Sequence, residues 1–269
     1  MENLAWLGLG AIGTPMARRL LDAGCDLTVW NRSPERTREL VEAGASAASS
    51  PAAAVRAAGV VFVCLTDGDA VEQVAFGDGG IVHGALPGAV VVDHSTIHPA
   101  QARAIAQRFA DAGIGFVDAP VSGGVAGARA GTLATFLGGR DADVERVLPL
   151  VAAYAAKRTH VGGSGAGQLA KSCNQAVVTA TFAIWAEMVA YARANGLDPA
   201  VLVEAVEGGW ADSPICRAFG PQLAAERLET SGALWIKDLG IVADIAVRSN
   251  AAIPVTAVVT QRLRTIFGR

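Results

Sequence analysis

The feature that most narrows what this chain can fold into is a passage from strand to helix near its start. An apolar run from Leu4 to Leu9 leads into Gly8-Leu9-Gly10-Ala11-Ile12-Gly13, after which Met16, Leu20 and Leu21 recur at helical spacing. Glycines so spaced have separate uses: the first permits a tight turn, the second lets a ligand approach bare backbone, and the third lets helix and strand pack closely. The helix beyond them aims free N–H groups and a positive dipole end at the turn, which suits a pyrophosphate. Gly8, Gly10, Ala11, Ile12 and Gly13 are therefore expected to bind a dinucleotide, the other reading being an ordinary glycine-rich turn.

The segments beyond the loop support the dinucleotide reading. Short apolar runs at Leu27–Trp30, Val60–Leu65, Val90–Asp93, Gly115–Asp118, Thr132–Leu137 and Arg158–Val161 alternate with Ala-rich helical patterns, as repeated βαβ units do around a parallel sheet. After Gly162 the pattern becomes almost wholly helical, broken at Gly196-Leu197-Asp198-Pro199, Asp212-Ser213-Pro214, Ser231-Gly232 and Ile253-Pro254. The expected fold class is α/β, an N-terminal Rossmann-type doubly wound sheet over residues 1–162 followed by an all-helical domain over 163–269. The first long helix, Gln168 to about Ala194, is apolar on nearly every face, so burial on all sides is expected, with a role in linking domains and subunits. A homodimer or homotetramer is expected on that ground.

The end of the second strand bears on cofactor choice. An NAD enzyme places Asp or Glu there, roughly 20 residues past the glycines, to hold the ribose hydroxyls. This chain has Asn31-Arg32-Ser33 instead. An amide, a guanidinium and a hydroxyl suit a 2′-phosphate, because a planar Arg pairs with it and no carboxylate repels it. NADP is expected over NAD, although a solvated Arg-containing loop would read the same way. Cys64-Leu65-Thr66 and Ser95-Thr96 end two further strands at the carboxyl edge of the sheet, where ligands of such folds bind, and Cys64, Leu65, Thr66 and Thr96 are expected to line the groove.

Two further segments carry candidate chemistry. Ser122-Gly123-Gly124 comes after a strand and offers a hydroxyl beside bare amides, a combination able to hold a carboxylate. On a helix, Lys171, Asn174 and Gln175 fall at i, i+3 and i+4, so three polar side chains share one face. A lysine held against apolar surface near a cofactor has its ammonium form disfavoured and can exchange a proton. A lysine resting its stem on an apolar face with its head in water is the competing reading.

Taken in order, Gly8 to Gly13, Asp118-Ala119-Pro120-Val121-Ser122-Gly123-Gly124, Gly165-Ala166-Gly167-Gln168-Leu169-Ala170-Lys171 with Asn174-Gln175, and Lys237-Asp238-Leu239 resemble the β-hydroxyacid dehydrogenase family, over nearly the whole chain. That family includes 3-hydroxyisobutyrate dehydrogenases and tartronate, succinic and glyoxylic semialdehyde reductases. The resemblance implies an oxidoreductase moving a hydride between NADP(H) and a small hydroxy acid or aldehyde acid. It gives Lys171 the acid/base role, Ser122, Gly123, Gly124 and Gln175 the substrate carboxylate, Asn174 the orientation of lysine or substrate, and Lys237 a contact with the cofactor. An imine reductase on the same scaffold, which usually lacks the lysine, and a noncatalytic NADP-binding scaffold protein are the alternatives.

Other classes fit poorly. A net charge of −3, with no long basic run, gives no electrostatic reason to bind nucleic acid. The 52% hydrophobic content suits a large core. Thr179, Thr181 and Glu187 interrupt the most lipid-like stretch, so no membrane role is expected. Four scattered cysteines without a CxxC pair and a start that runs straight into a strand suit a cytoplasmic protein. His83, His94, His98 and His160 show no metal spacing; no metal is expected, and each is read as a turn or surface residue.

Overall fold

The computed structural model describes residues 3–268. The chain divides into two compact units, 1–171 and 172–269.

The first unit is built on one sheet. Its strands are β1 (Leu4–Leu7), β2 (Leu27–Trp30), β3 (Ser46–Ala47), β4 (Val60–Val63), β5 (Val90–Asp93), β6 (Gly115–Asp118), β7 (Val121–Ser122), β8 (Leu133–Gly138) and β9 (Ala155–Gly162). They lie in the order β3-β2-β1-β4-β5-β6-β8-β7, with β9 paired to β8. From β3 to β6 every pairing is parallel, and β8 then joins β6 antiparallel with Gly138 opposite Asp118. The chain runs outward from β1 to β3 and returns to β4 on the other side of β1. The order thus reverses between β1 and β4, the place where such sheets leave a crevice at their carboxyl ends.

Alternate residues of each central strand enter cores on opposite faces. Leu4, Trp6, Val60, Phe62, Val90 and Val92 pack on one face, whereas Ala5, Leu7, Val61, Val63 and Val91 pack on the other. A strand buried on both faces must be apolar throughout, which explains runs such as Val60-Val61-Phe62-Val63. β2, β5 and β6 match the expected bounds, but β1 and β4 stop short at Leu7 and Val63. Gly8, at φ +100°, turns the chain off the sheet.

One histidine departs from expectation. His94 is no turn or surface residue; it is 3% exposed and stacks on Trp6 and Phe62. Its ring nitrogens bond the Ala119 carbonyl at 2.6 Å and the Tyr154 hydroxyl at 2.8 Å, so the buried imidazole is satisfied at both ends.

The first unit runs past residue 162 to Lys171, because the start of the next helix is tied to the sheet. The Asp118 carboxylate accepts the backbone N–H groups of Gly165 and Gln168 at 2.7 and 2.9 Å. That helix spans Ala166–Ala194.

The second unit takes the rest of that helix together with Pro199–Ala205, Pro214–Ala224, Ala233–Ser249 and Pro254–Phe267. Asp198 and Ser213 cap two of these helices with their side chains, each with proline next to it at the first helical position. Phe182, Phe219, Trp235 and Phe267 form its aromatic core. The long helix is not buried on every face: Val177, Ile184 and Tyr191, spaced by seven, are 68%, 51% and 64% exposed. By length and composition it is apolar enough to cross a membrane, although its first turns bury Gln168, Lys171, Ser172 and Gln175.

Candidate active site

The glycines of the β1 loop differ in what the fold demands of them. A Cβ on Gly8 would lie 2.2 Å from the Cys64 carbonyl oxygen, and one on Gly13 would lie 2.3 Å from the oxygen of Gly8. Gly10 differs, since a Cβ there would meet nothing within 4 Å. The fold itself leaves room for a side chain at Gly10, so the bare backbone there is open to close approach by a ligand. The helix Gly13–Asp22 begins beyond it with no acidic residue in its first turn, leaving its positive end unopposed. Ala11 is exposed and Ile12 half-buried above this turn. These features fit a dinucleotide pyrophosphate.

At the end of β2 the Asn31 amide is engaged within the fold. Its Oδ1 accepts the N–H of Leu9 at 2.9 Å and its Nδ2 donates to the Ser33 carbonyl at 3.0 Å. Asn31 therefore pins the glycine loop to the neighbouring loop, and its amide, expected as one of three donors to a 2′-phosphate, is engaged within the fold. Arg32 is exposed and makes no ion pair or side-chain hydrogen bond among the described residues, and Ser33 is half-buried beside it.

The ends of β4 and β5 are interlocked. Ser95 Oγ accepts the N–H of Leu65 at 2.9 Å, and the N–H of Ser95 donates to Asp93 Oδ1 at 2.9 Å. Cys64 packs behind the glycine loop, and burial pushes its thiol up to about 12, so it stays neutral. Thr66 is exposed and bonds Asp67, which caps the next helix, while Thr96 is half-buried.

After β6 the chain passes through Ser122, half-buried and paired with Ala134 of β8, to the exposed Gly123 and Gly124 at φ +131° and +64°. A side chain is strained at either angle, so the loop keeps bare amides.

The helix bearing Lys171 starts on the same sheet edge. Gln168 reaches back with both ends of its amide, accepting the N–H of Ile97 at 3.0 Å and donating to the Ser95 carbonyl at 2.8 Å. One turn on, Lys171 is 6% exposed, which removes the solvated-lysine reading. Burial pushes the Asp118 carboxyl up to about 6 although backbone N–H groups of Gly165 and Gln168 oppose the shift.

Within the helical unit, Asn174 Nδ2 donates to Gln175 Oε1 at 3.1 Å, and Gln175 Nε2 donates to Asp238 Oδ2 at 2.7 Å. Lys237 Nζ lies 3.2 Å from Asp238 Oδ1. Three expected site residues are thus joined by a fourth, Asp238, whose place the sequence alone does not reveal. Asp118, Ser95 and Gln168 are hidden in the same way. The paired glycines at 165 and 167 were the available signal, since a Cβ on Gly167 would fall 2.4 Å from the Phe136 oxygen. A separate cleft of about 430 Å³, lined by Arg103, Gln107, Gly115, Arg140 and Asp143, contains none of the expected site residues.

The switch point between β1 and β4, the glycine loop and the acid-free helix start define a dinucleotide-binding domain joined to a helical one. The NAD-binding domain of 6-phosphogluconate dehydrogenase matches residues 3–162, and the NAD-binding domain of NADP-dependent 3-hydroxyisobutyrate dehydrogenase matches 165–267. A 3-hydroxyisobutyrate dehydrogenase of Pseudomonas aeruginosa is 38% identical over 96% of this chain and 89% of its own length. An NAD-dependent L-serine dehydrogenase of the same organism is 36% identical over 99% and 93%. Among solved structures, 3-hydroxyisobutyrate dehydrogenase of Mycobacterium tuberculosis with L-serine superposes at a TM-score of 0.88, with 30% identity over 100% of this chain and 94% of that one. The chain belongs to the β-hydroxyacid dehydrogenase family.

Proposed function

We propose that the protein interconverts a small 3-hydroxy acid and the corresponding semialdehyde acid, using NADP(H), with Lys171 as general acid and base. The observation that carries this reading is the burial of Lys171 one turn after Gln168, on a helix anchored to the loop between Ser95 and Ile97. The cofactor, when bound, supplies or accepts the hydride. Lys171 takes the proton from the substrate hydroxyl in the oxidative direction and returns it to the developing alkoxide in the reductive one. Ser122 and the amides of Gly123 and Gly124 hold the substrate carboxylate. Asn174 orients the lysine or substrate; Gln175, itself bonded to Asp238, holds Asn174, and Lys237 reaches toward the cofactor.

NADP preference is supported by Arg32, exposed beside Ser33 where an acid would repel the 2′-phosphate. An NAD-dependent L-serine dehydrogenase stands among the relatives, so the comparison of NADPH with NADH decides this point. The apolar stripe of Val177, Ile184 and Tyr191 supports a homodimer or homotetramer, and the free thiols suit the cytoplasm.

The test is to follow NADPH and NADH absorbance against glyoxylate, succinic, tartronate and methylmalonate semialdehydes. Turnover that is faster with NADPH is expected. NADPH binding without turnover on any of these would favour a noncatalytic binding protein, and turnover only on cyclic imines would favour an imine reductase.

A further inference from the structure

We propose that Gln168 is a positioning residue for Lys171, and that with Asp118 it clamps the lysine-bearing helix to the Leu65 and Ser95 loops as one rigid piece. The inference rests on Lys171 being the acid/base group. Gln168 is 1% exposed, and both ends of its amide read one short turn: Oε1 accepts from Ile97 N at 3.0 Å and Nε2 donates to Ser95 O at 2.8 Å. The same turn holds the next strand end, because Ser95 Oγ accepts from Leu65 N at 2.9 Å. On the other side, the backbone N–H of Gln168 donates to Asp118 Oδ2 at 2.9 Å, and that of Gly165 to Oδ1 at 2.7 Å.

Close packing removes the remaining freedom. A Cβ on Gly167 would fall 2.4 Å from the Phe136 oxygen and 2.5 Å from the Asp118 oxygen, so the helix start already touches β6 and β8 backbone. Lys171 lies at i+3 from Gln168, on the same side of the helix. Continuous hydrogen bonds therefore run from Leu65, at the cofactor crevice, through Ser95 and Gln168 to the turn carrying the lysine. Proton and hydride must move on one carbon–oxygen pair, so a misplaced lysine lowers turnover without weakening cofactor binding.

The experiment compares the full-length wild type with Gln168→Met, which keeps length but loses both bonds, and Gln168→Glu, which keeps an acceptor for Ile97. Gly167→Ala leaves the amide intact and shifts the helix. NADPH affinity is read by fluorescence titration, and kcat, substrate KM and the solvent isotope effect by steady-state kinetics. The expected result is a loss of kcat on the order of 10- to 100-fold in Gln168→Met, with NADPH Kd within about twofold of wild type. Gln168→Glu falls between, Gly167→Ala resembles Gln168→Met, and the solvent isotope effect rises as proton transfer becomes limiting. Unchanged kcat and isotope effect in Gln168→Met or Gly167→Ala overturn the clamp, as does equal weakening of kcat and NADPH binding. Should Gln168→Met not fold, Gly167→Ala and Gln168→Glu decide the matter. A wild type that turns over no aldehyde acid overturns the functional reading itself, and the clamp with it; a wild type that does so beside fully active variants overturns the clamp alone.

Discussion

The indole N–H of Trp6 donates a 3.0 Å hydrogen bond to the carbonyl of Gly8, the residue that turns the chain off β1 at φ +100°. Trp6 is itself locked by stacking on Phe62 and His94 and by the edge of Tyr154. The conformation of the glycine loop is thus set from beneath by the core as well as by its own glycines.

Trp6→Phe keeps most of this packing and removes the bond. A net hydrogen bond contributes about 1 kcal/mol, so NADPH affinity should fall about fivefold, measurable by fluorescence titration. Wild-type affinity in a folded Trp6→Phe variant would mean that the loop holds its shape unaided.

Cofactor choice should depend on Arg32. A charge-assisted hydrogen bond to phosphate contributes about 1.5–3 kcal/mol, so Arg32→Ala should raise the NADPH Kd on the order of 10- to 100-fold and leave NADH nearly unchanged. Equal losses with both cofactors would assign Arg32 a structural role instead.

Two buried groups should oppose one another in acid. Burial pulls His94 down from 6.5 to about 4 and pushes Asp118 up from 3.8 to about 6. Between those His94 values the unfolded chain holds the imidazole proton and the folded chain does not, so this contribution to stability shrinks as pH falls. Between the Asp118 values the folded chain holds the carboxyl proton and the unfolded chain does not, so this contribution grows as pH falls. Each slope approaches about 1.4 kcal/mol per pH unit at most, and the two largely cancel. Relative to wild type, His94→Gln should gain stability on acidification from pH 6 to 4 and Asp118→Asn should lose it. Urea midpoints across that range check both signs, and parallel profiles for all three proteins would refute the opposition.

The exposed stripe on the long helix should be an interface. Light scattering is expected to give a dimer or tetramer for wild type and a monomer for Val177→Glu combined with Ile184→Glu. A monomeric wild type would contradict this.

Much of the fold is legible in the sequence because its signals are local. Val60 to Val63 is apolar at every position, as a strand buried on both faces must be, and Asp198-Pro199 and Ser213-Pro214 announce caps and first helical residues together. The β3 and β7 strands, Ser46–Ala47 and Val121–Ser122, are too short to show any period. His94 is hidden because a histidine satisfied in a core looks, in sequence, like any other. The candidate site divides along the same line. Its glycines and Lys171 sit in recognisable motifs, whereas Asp118 caps a helix that begins far along the chain, and Gln168 gains its meaning from Ser95 and Ile97. Such pairings are products of the tertiary fold. The Asn31 amide suits a 2′-phosphate by residue type, but Leu9 and Ser33 draw it into the fold, and no local pattern announces that pairing.

The most direct measurement is single-turnover hydride transfer from NADPH by Lys171→Ala beside wild type, on an aldehyde acid that the wild type reduces. A rate lower by about 10²- to 10⁴-fold, with NADPH affinity unchanged, is the expected result for a lost acid/base group. A rate equal to wild type would show that the proton comes from elsewhere and that Lys171 is not the catalytic residue.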